Sequence, residues 1–93
     1  IDRNWRQPGI EIDIVALFES TVVFVEVKTR QSTGYGFPSE AVTRRKLQLI
    51  RRGAALYLAT HRIRYDGIRF DVVSVVLGPR GQHDITHLEG VGI

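Results

Sequence analysis

Apolar and polar residues alternate through the first third of the chain with the two-residue period of β-strands. Ile10 to Phe18 sets Ile12, Ile14, Ala16 and Phe18 on one face and Glu11, Asp13, Val15 and Leu17 on the other. Thr21 to Arg30 is rich in β-branched residues, with Val23, Val25 and Val27 on one face and Val22, Phe24, Glu26 and Lys28 on the other. A turn at Glu19-Ser20 makes the two runs a hairpin. Ile1 to Arg6 reads as the end of a further strand, closed by the turn signal Gln7-Pro8-Gly9. Gln31 to Pro38, with Gly34, Gly36 and Pro38, reads as a loop, and Ser39 or Thr43 is placed to cap a helix beyond it. The period then changes: from about Thr43 to His61, Leu47, Ile50, Ala54, Tyr57 and Leu58 recur at helical spacing, with Arg44, Arg45, Arg51 and Arg52 off that stripe. Arg69 to Leu77 reads as a buried strand stopped by Gly78-Pro79, and Ile85 to Leu88 as a short edge strand. The predicted order is β-β-β-α-β-β, an α/β domain.

At 93 residues the chain fits one domain spanning 1–93, and 43% hydrophobic residues suffice for one modest core. The absence of cysteine excludes disulfide scaffolds and Cys-based zinc sites, and makes a reducing cytoplasm the expected location. No apolar run approaches the ~20 residues of a membrane helix, and no charged-then-apolar leader is present, so no membrane association is expected. The sequence has no methionine and begins with Ile1, which suggests a stretch from inside a longer, N-terminally truncated product. The formal net charge of +3 suits an anionic partner, and its distribution says more than its total. Arg44, Arg45, Lys46, Arg51, Arg52, Arg62, Arg64 and Arg69 face one acid, Asp66, over that span, whereas Glu11, Asp13 and Glu26 lie in the first third. Eleven of the thirteen basic residues are arginine, whose planar fork suits phosphate, although a GC-rich genome also inflates arginine.

With a two-residue turn at Glu19-Ser20, the hairpin register sets Val15 opposite Phe24, Asp13 opposite Glu26 and Glu11 opposite Lys28. Facing carboxylates destabilise a sheet unless a cation joins them. Phosphodiester hydrolysis needs an activated water and neutralisation of charge on the transferring phosphoryl group, and Mg²⁺ or Mn²⁺ on hard oxygen ligands supplies much of both. Asp13 and Glu26 would hold such an ion, joined by the main-chain carbonyl of Val27, with Lys28 orienting water or stabilising the transition state. Glu11 has two readings, a further ligand or an ion-pair partner of Lys28. Arg30, on the same face, would grip a neighbouring phosphate. Arg44, Arg45, Lys46, Arg51 and Arg52 would hold nucleic-acid backbone without reading sequence, or form a solvated outer face. Asp71 is expected to cap or to pair with an arginine, Trp5 to pack in the core, and His61, His83 and His87 to be surface or turn residues. Tyr35, in the loop after the motif strand, is a connector residue or a stacking platform for a base.

The pattern Asp13, then Glu26-Val27-Lys28, resembles the PD-(D/E)xK nuclease superfamily of restriction endonucleases and Holliday-junction resolvases. More narrowly, Arg3-Asn4-Trp5-Arg6, Glu11-Ile12-Asp13, Val23 to Arg30, Glu40-Ala41-Val42-Thr43 with Lys46, and Phe70-Asp71-Val72-Val73 resemble the YraN family of uncharacterised bacterial proteins predicted to be nucleases. The resemblance spans nearly the whole chain. It implies a restriction-endonuclease-like mixed sheet flanked by helices, with Asp13, Glu26 and Lys28 in catalytic positions, a Mg or Mn cofactor and a DNA substrate. By analogy with resolvases it also implies a homodimer. The chain departs from the family in having Ile10 where Gly usually precedes Glu-Ile-Asp, and in lacking the family's N-terminal helix. The alternative function is a non-catalytic nucleic-acid-binding module with the same fold. A third reading makes the domain a protein-docking adaptor.

Overall fold

A computed structural model describes residues 1–31 and 44–91. Five strands and one α-helix make up the described fold: β1 (Asp2–Gln7), β2 (Ile10–Phe18), β3 (Thr21–Gln31), α1 (Arg44–Thr60), β4 (Gly67–Leu77) and β5 (His83–Leu88). The predicted element order holds, and β5 begins two residues before its predicted start. The expected helix caps and Tyr35 lie outside the described residues.

The strands form one sheet in sequence order, β1-β2-β3-β4-β5. β3 and β4 are parallel, and the other neighbouring pairs are antiparallel. This mixture follows from the connections: two-residue turns permit antiparallel hairpins, whereas the parallel pair needs a long crossover, which contains α1. At Pro8-Gly9 the turn puts Gly9 at φ 75°, where glycine carries no Cβ penalty, and at Glu19-Ser20 it puts Glu19 at φ 55°. Pro79 to Gly81 form a 3-10 turn that ends β4 and leads into β5.

α1 lies on one sheet face. Its buried residues Ile50, Gly53, Ala54 and Tyr57 recur at helical spacing, and Ala54 and Tyr57 join Ile12, Val15, Val22 and Phe24 in the core. A Cβ at Gly53 would stand 2.6 Å from Ile10 Cγ2 and 3.1 Å from Ile12 Cδ1, so the helix backbone rests directly on β2. Tyr57 meets Trp5 and Phe24 edge-on, with ring centroids 5.4 and 6.0 Å apart, which confirms Trp5 as a packing residue.

The faces of β3 are as the alternation predicts, but those of β2 are not. Ile12 and Val15 are both fully buried in the same core, so the alternation changes phase between them. The cause sits at one level of the sheet. β1 pairs with β2 through Arg3↔Ile14 and Trp5↔Ile12, and between those pairs Asn4 takes φ 54° beside Asp13. Such paired irregularities re-aim side chains.

Candidate metal and phosphate site

The predicted hairpin register is present from Phe18↔Thr21 to Ile14↔Val25. Extended one step it would set Asp13 beside Glu26, but Asp13 instead turns its carboxylate onto the partner strand. Its Oδ2 accepts the main-chain N–H of Val27 at 2.8 Å. That bond fixes Asp13 one residue from Glu26. Because the N–H and C=O of a strand residue leave on the same side, it also puts the Val27 carbonyl on the β2 side of β3.

Glu26 is 5% exposed, in a strand whose preceding four residues are buried valines and a phenylalanine. A carboxylate this buried needs compensation, and two ammonium groups provide it. Lys28 Nζ lies 3.3 Å and Lys46 Nζ 3.1 Å from the same oxygen, Oε1. Lys28 comes from the same face two residues along β3, as its spacing predicts. Lys46 comes from the first turn of α1, and the hydrogen bond to Glu26 raises its pKa above the ordinary lysine value, against an opposing effect of burial. Glu26 and Asp13 contribute further electrostatic stabilisation of the Lys46 charge.

Sequence reasoning grouped Lys46 with the arginines of the outer helix face. Arg44, Arg45, Arg51 and Arg52 are indeed exposed, but the flexible stem of Lys46 carries its charge inward to Glu26. Arg30 is half-buried, farther along β3. Glu11 requires a correction in one of its two readings. It pairs across the β1–β2 hairpin with Arg6, Nη2 to Oε1 3.5 Å, not with Lys28, because Arg6↔Glu11 are direct cross-strand partners. Among the described residues, no group of three or more His, Cys, Asp or Glu side chains comes together in a way that would hold a metal.

The donors that remain are two carboxylates and a main-chain carbonyl, all hard oxygens. Mg²⁺ and Mn²⁺ suit such a set: Mg²⁺ is commonly bound through one or two carboxylates and keeps several waters, with further positions left for phosphate.

A second buried acid lies elsewhere. Asp71, 2% exposed, accepts Arg69 Nε and Nη2 at 2.9 Å each, hydrogen-bonds His87 Nε2 at 2.7 Å and accepts the Gly90 N–H at 3.2 Å. Burial is the largest influence on its pKa and acts to raise it, but the bonds from Arg69, His87 and Gly90 and the arginine charge outweigh that and hold it below the ordinary carboxylate value. The expected pairing of Asp71 with an arginine is confirmed. His87, exposed at the surface as expected, also belongs to this cluster, which a β4–β5 register of Val73↔His87 brings together. His61, in the bend that follows α1, stacks on Tyr57 with ring centroids 3.8 Å apart.

A model of the uncharacterised protein family UPF0102 matches residues 1–75, a span that includes β1 to β3, α1 and most of β4. The chain belongs to this family. A UPF0102 protein of Beutenbergia cavernae is 50% identical over 92 residues, covering 99% of this chain and 78% of that protein. One from Mycobacterium avium is 50% identical over 94 residues, covering 99% and 73%. One from Mycobacterium tuberculosis is 44% identical over 97 residues, covering 99% and 76%. Among the described residues of this UPF0102 chain, no helix is long and apolar enough to cross a membrane.

Proposed function

We propose that this UPF0102 chain is a metal-dependent nuclease domain of the PD-(D/E)xK kind that hydrolyses phosphodiester bonds of nucleic acid, in the first instance DNA. The observation that carries the reading is the pair Asp13 and Glu26: one carboxylate is pinned to the Val27 amide, and the next is buried in an apolar strand beneath two lysines. A core strand has no packing reason to hold such a group. The mixed sheet with a parallel central pair is compatible with the restriction-endonuclease-like fold, which forms part of the proposal.

Asp13, Glu26 and the Val27 carbonyl would hold Mg²⁺ or Mn²⁺, which supplies charge neutralisation and a more acidic water. The chain's own groups do the rest. The Val27 N–H holds the Asp13 carboxylate in one orientation, so that little rearrangement is needed on binding. Lys28, fixed by the strand beside Glu26, presents an ammonium to the developing negative charge on the phosphoryl oxygens and orients the attacking water. Arg44, Arg45, Arg51 and Arg52, exposed along α1, and Arg30 along β3 hold neighbouring phosphates without sequence readout. Symmetric cutting of two strands of a branched substrate would call for a homodimer.

Calorimetric titration of Mn²⁺ into the folded protein and into the Asp13→Ala/Glu26→Ala variant tests this reading, together with cleavage of branched and linear DNA. Saturable binding lost in the variant, with Mn²⁺-dependent cleavage, is the expected result. Salt-sensitive DNA binding that is indifferent to chelator, with no Mn²⁺ uptake, would instead establish a non-catalytic binding module.

A further inference from the structure

Two ammonium groups share one carboxylate oxygen at Glu26, and they are not equivalent. Lys28 is held by β3 itself. Lys46 reaches the same oxygen from α1, is the more exposed of the two, and also lines a cleft of about 440 Å³ between the β1–β2 turn and the helix, together with Arg6, Gln7, Glu11 and Ile50. Lys46 therefore has a second place to put its charge, the cleft beside Arg6. Lys28 does not line that cleft.

We propose that Lys46 is a stand-in cation: it occupies Glu26 while no divalent ion is bound, and leaves for the adjoining cleft when one binds, there to contact a substrate phosphate beside Arg6. The inference rests on the proposed metal site and adds to it a positioning residue and a path for the nucleic-acid strand. Its physical basis is competition. An oxygen that bonds a dication directly cannot also retain two close ammonium donors, and the donor with somewhere else to go is the one that leaves. A phosphate entering the cleft draws Lys46 away from Glu26 and so favours metal binding; a bound metal displaces Lys46 from Glu26 toward the phosphate. Metal and nucleic acid thus bind cooperatively through one side chain, and such couplings run to about 5–150-fold.

The test is Mn²⁺ titration by calorimetry, without nucleic acid, of the wild type, Lys46→Met, Lys46→Arg and, as a charge control at an exposed residue between α1 and β4, Arg64→Met. Lys46→Met should bind Mn²⁺ at least about fivefold tighter than wild type. Lys46→Arg should return toward the wild-type value, and Arg64→Met should stay within about twofold of it. In chelator, Lys46→Met should bind a short DNA oligonucleotide more weakly than wild type. Lys46→Gln serves in place of Lys46→Met if thermal melting shows that variant unfolded. Unchanged or weaker Mn²⁺ binding by the neutral variant, or an equal gain in Arg64→Met, overturns the stand-in role alone. No saturable Mn²⁺ binding by the wild type overturns the metal site and this inference with it.

Discussion

Replacing Asp71 with Asn keeps the shape of the side chain and removes its charge. In the wild type both carboxylate oxygens are occupied: Oδ1 by Arg69 and Gly90, Oδ2 by Arg69 and His87. The amide that replaces Oδ2 or Oδ1 presents hydrogens to donors. Breaking a buried ion pair costs about 3–5 kcal/mol, and because the cationic partners here reach solvent, about 2–3 kcal/mol is expected for Asp71→Asn at neutral pH. For a chain of this size that lowers Tm by roughly 10–20 °C, and the urea midpoint by about 2 M. The effect depends on pH with a definite sign. Asp71 in the folded state lies below its ordinary pKa, so its stabilisation is complete above about pH 4, the unfolded value, and is lost as pH falls through the lowered folded value. Urea denaturation of both proteins from pH 7 to pH 2.5, as far as each remains folded, should give curves whose gap is constant above about pH 5 and closes below about pH 4. A gap under about 1 kcal/mol at pH 7, or one that persists unchanged into acid, would refute the account of Asp71 as a charged anchor.

Other consequences are as specific. Phe24→Ala, at a fully buried position between Tyr57 and Phe70, should cost about 3–5 kcal/mol by chemical denaturation. Gly53→Val should destabilise the protein, since its side chain must displace Ile10 and Ile12, by about 1–3 kcal/mol in the same assay. Asn4→Val, a β-branched residue at φ 54°, should cost about 1–3 kcal/mol, whereas Asn4→Gly should be close to neutral; equal melting temperatures for the two would show that the backbone strain has been misread.

How much was legible depended on how local each signal is. The β2–β3 hairpin could be read because strict alternation and a short turn leave few registers, and the pairing Val15↔Phe24 is the one expected. The change of phase in β2 was hidden because it depends on a side chain replacing a backbone partner, the Asp13 bond to Val27, and on a left-handed Asn4 in a different strand. Gly53 in a helical stripe looks like a propensity cost, and only the closeness of Ile10 reveals it as the point where helix and sheet touch. Lys46 was grouped with the neighbouring arginines by its charge and place in the chain, which locate the Cα and not the end of a four-carbon stem. The Asp71–His87 bond joins residues sixteen apart through a strand pairing that neither residue announces.

The central strand has one further implication. β3 is paired with β4 at every position from Thr21 to Gln31, and it carries both the buried core residues Val22 and Phe24 and the charged pair Glu26 and Lys28. Fraying of an edge strand can expose Asp13 from one side, but the backbone that bears Glu26 becomes free only when the whole sheet comes apart. In native-state hydrogen exchange, the amides of β3 that bond to β4 should therefore open only with global unfolding. Variation that loosens this strand would then be felt in the lifetime of the folded chain as well as in the chemistry at Glu26.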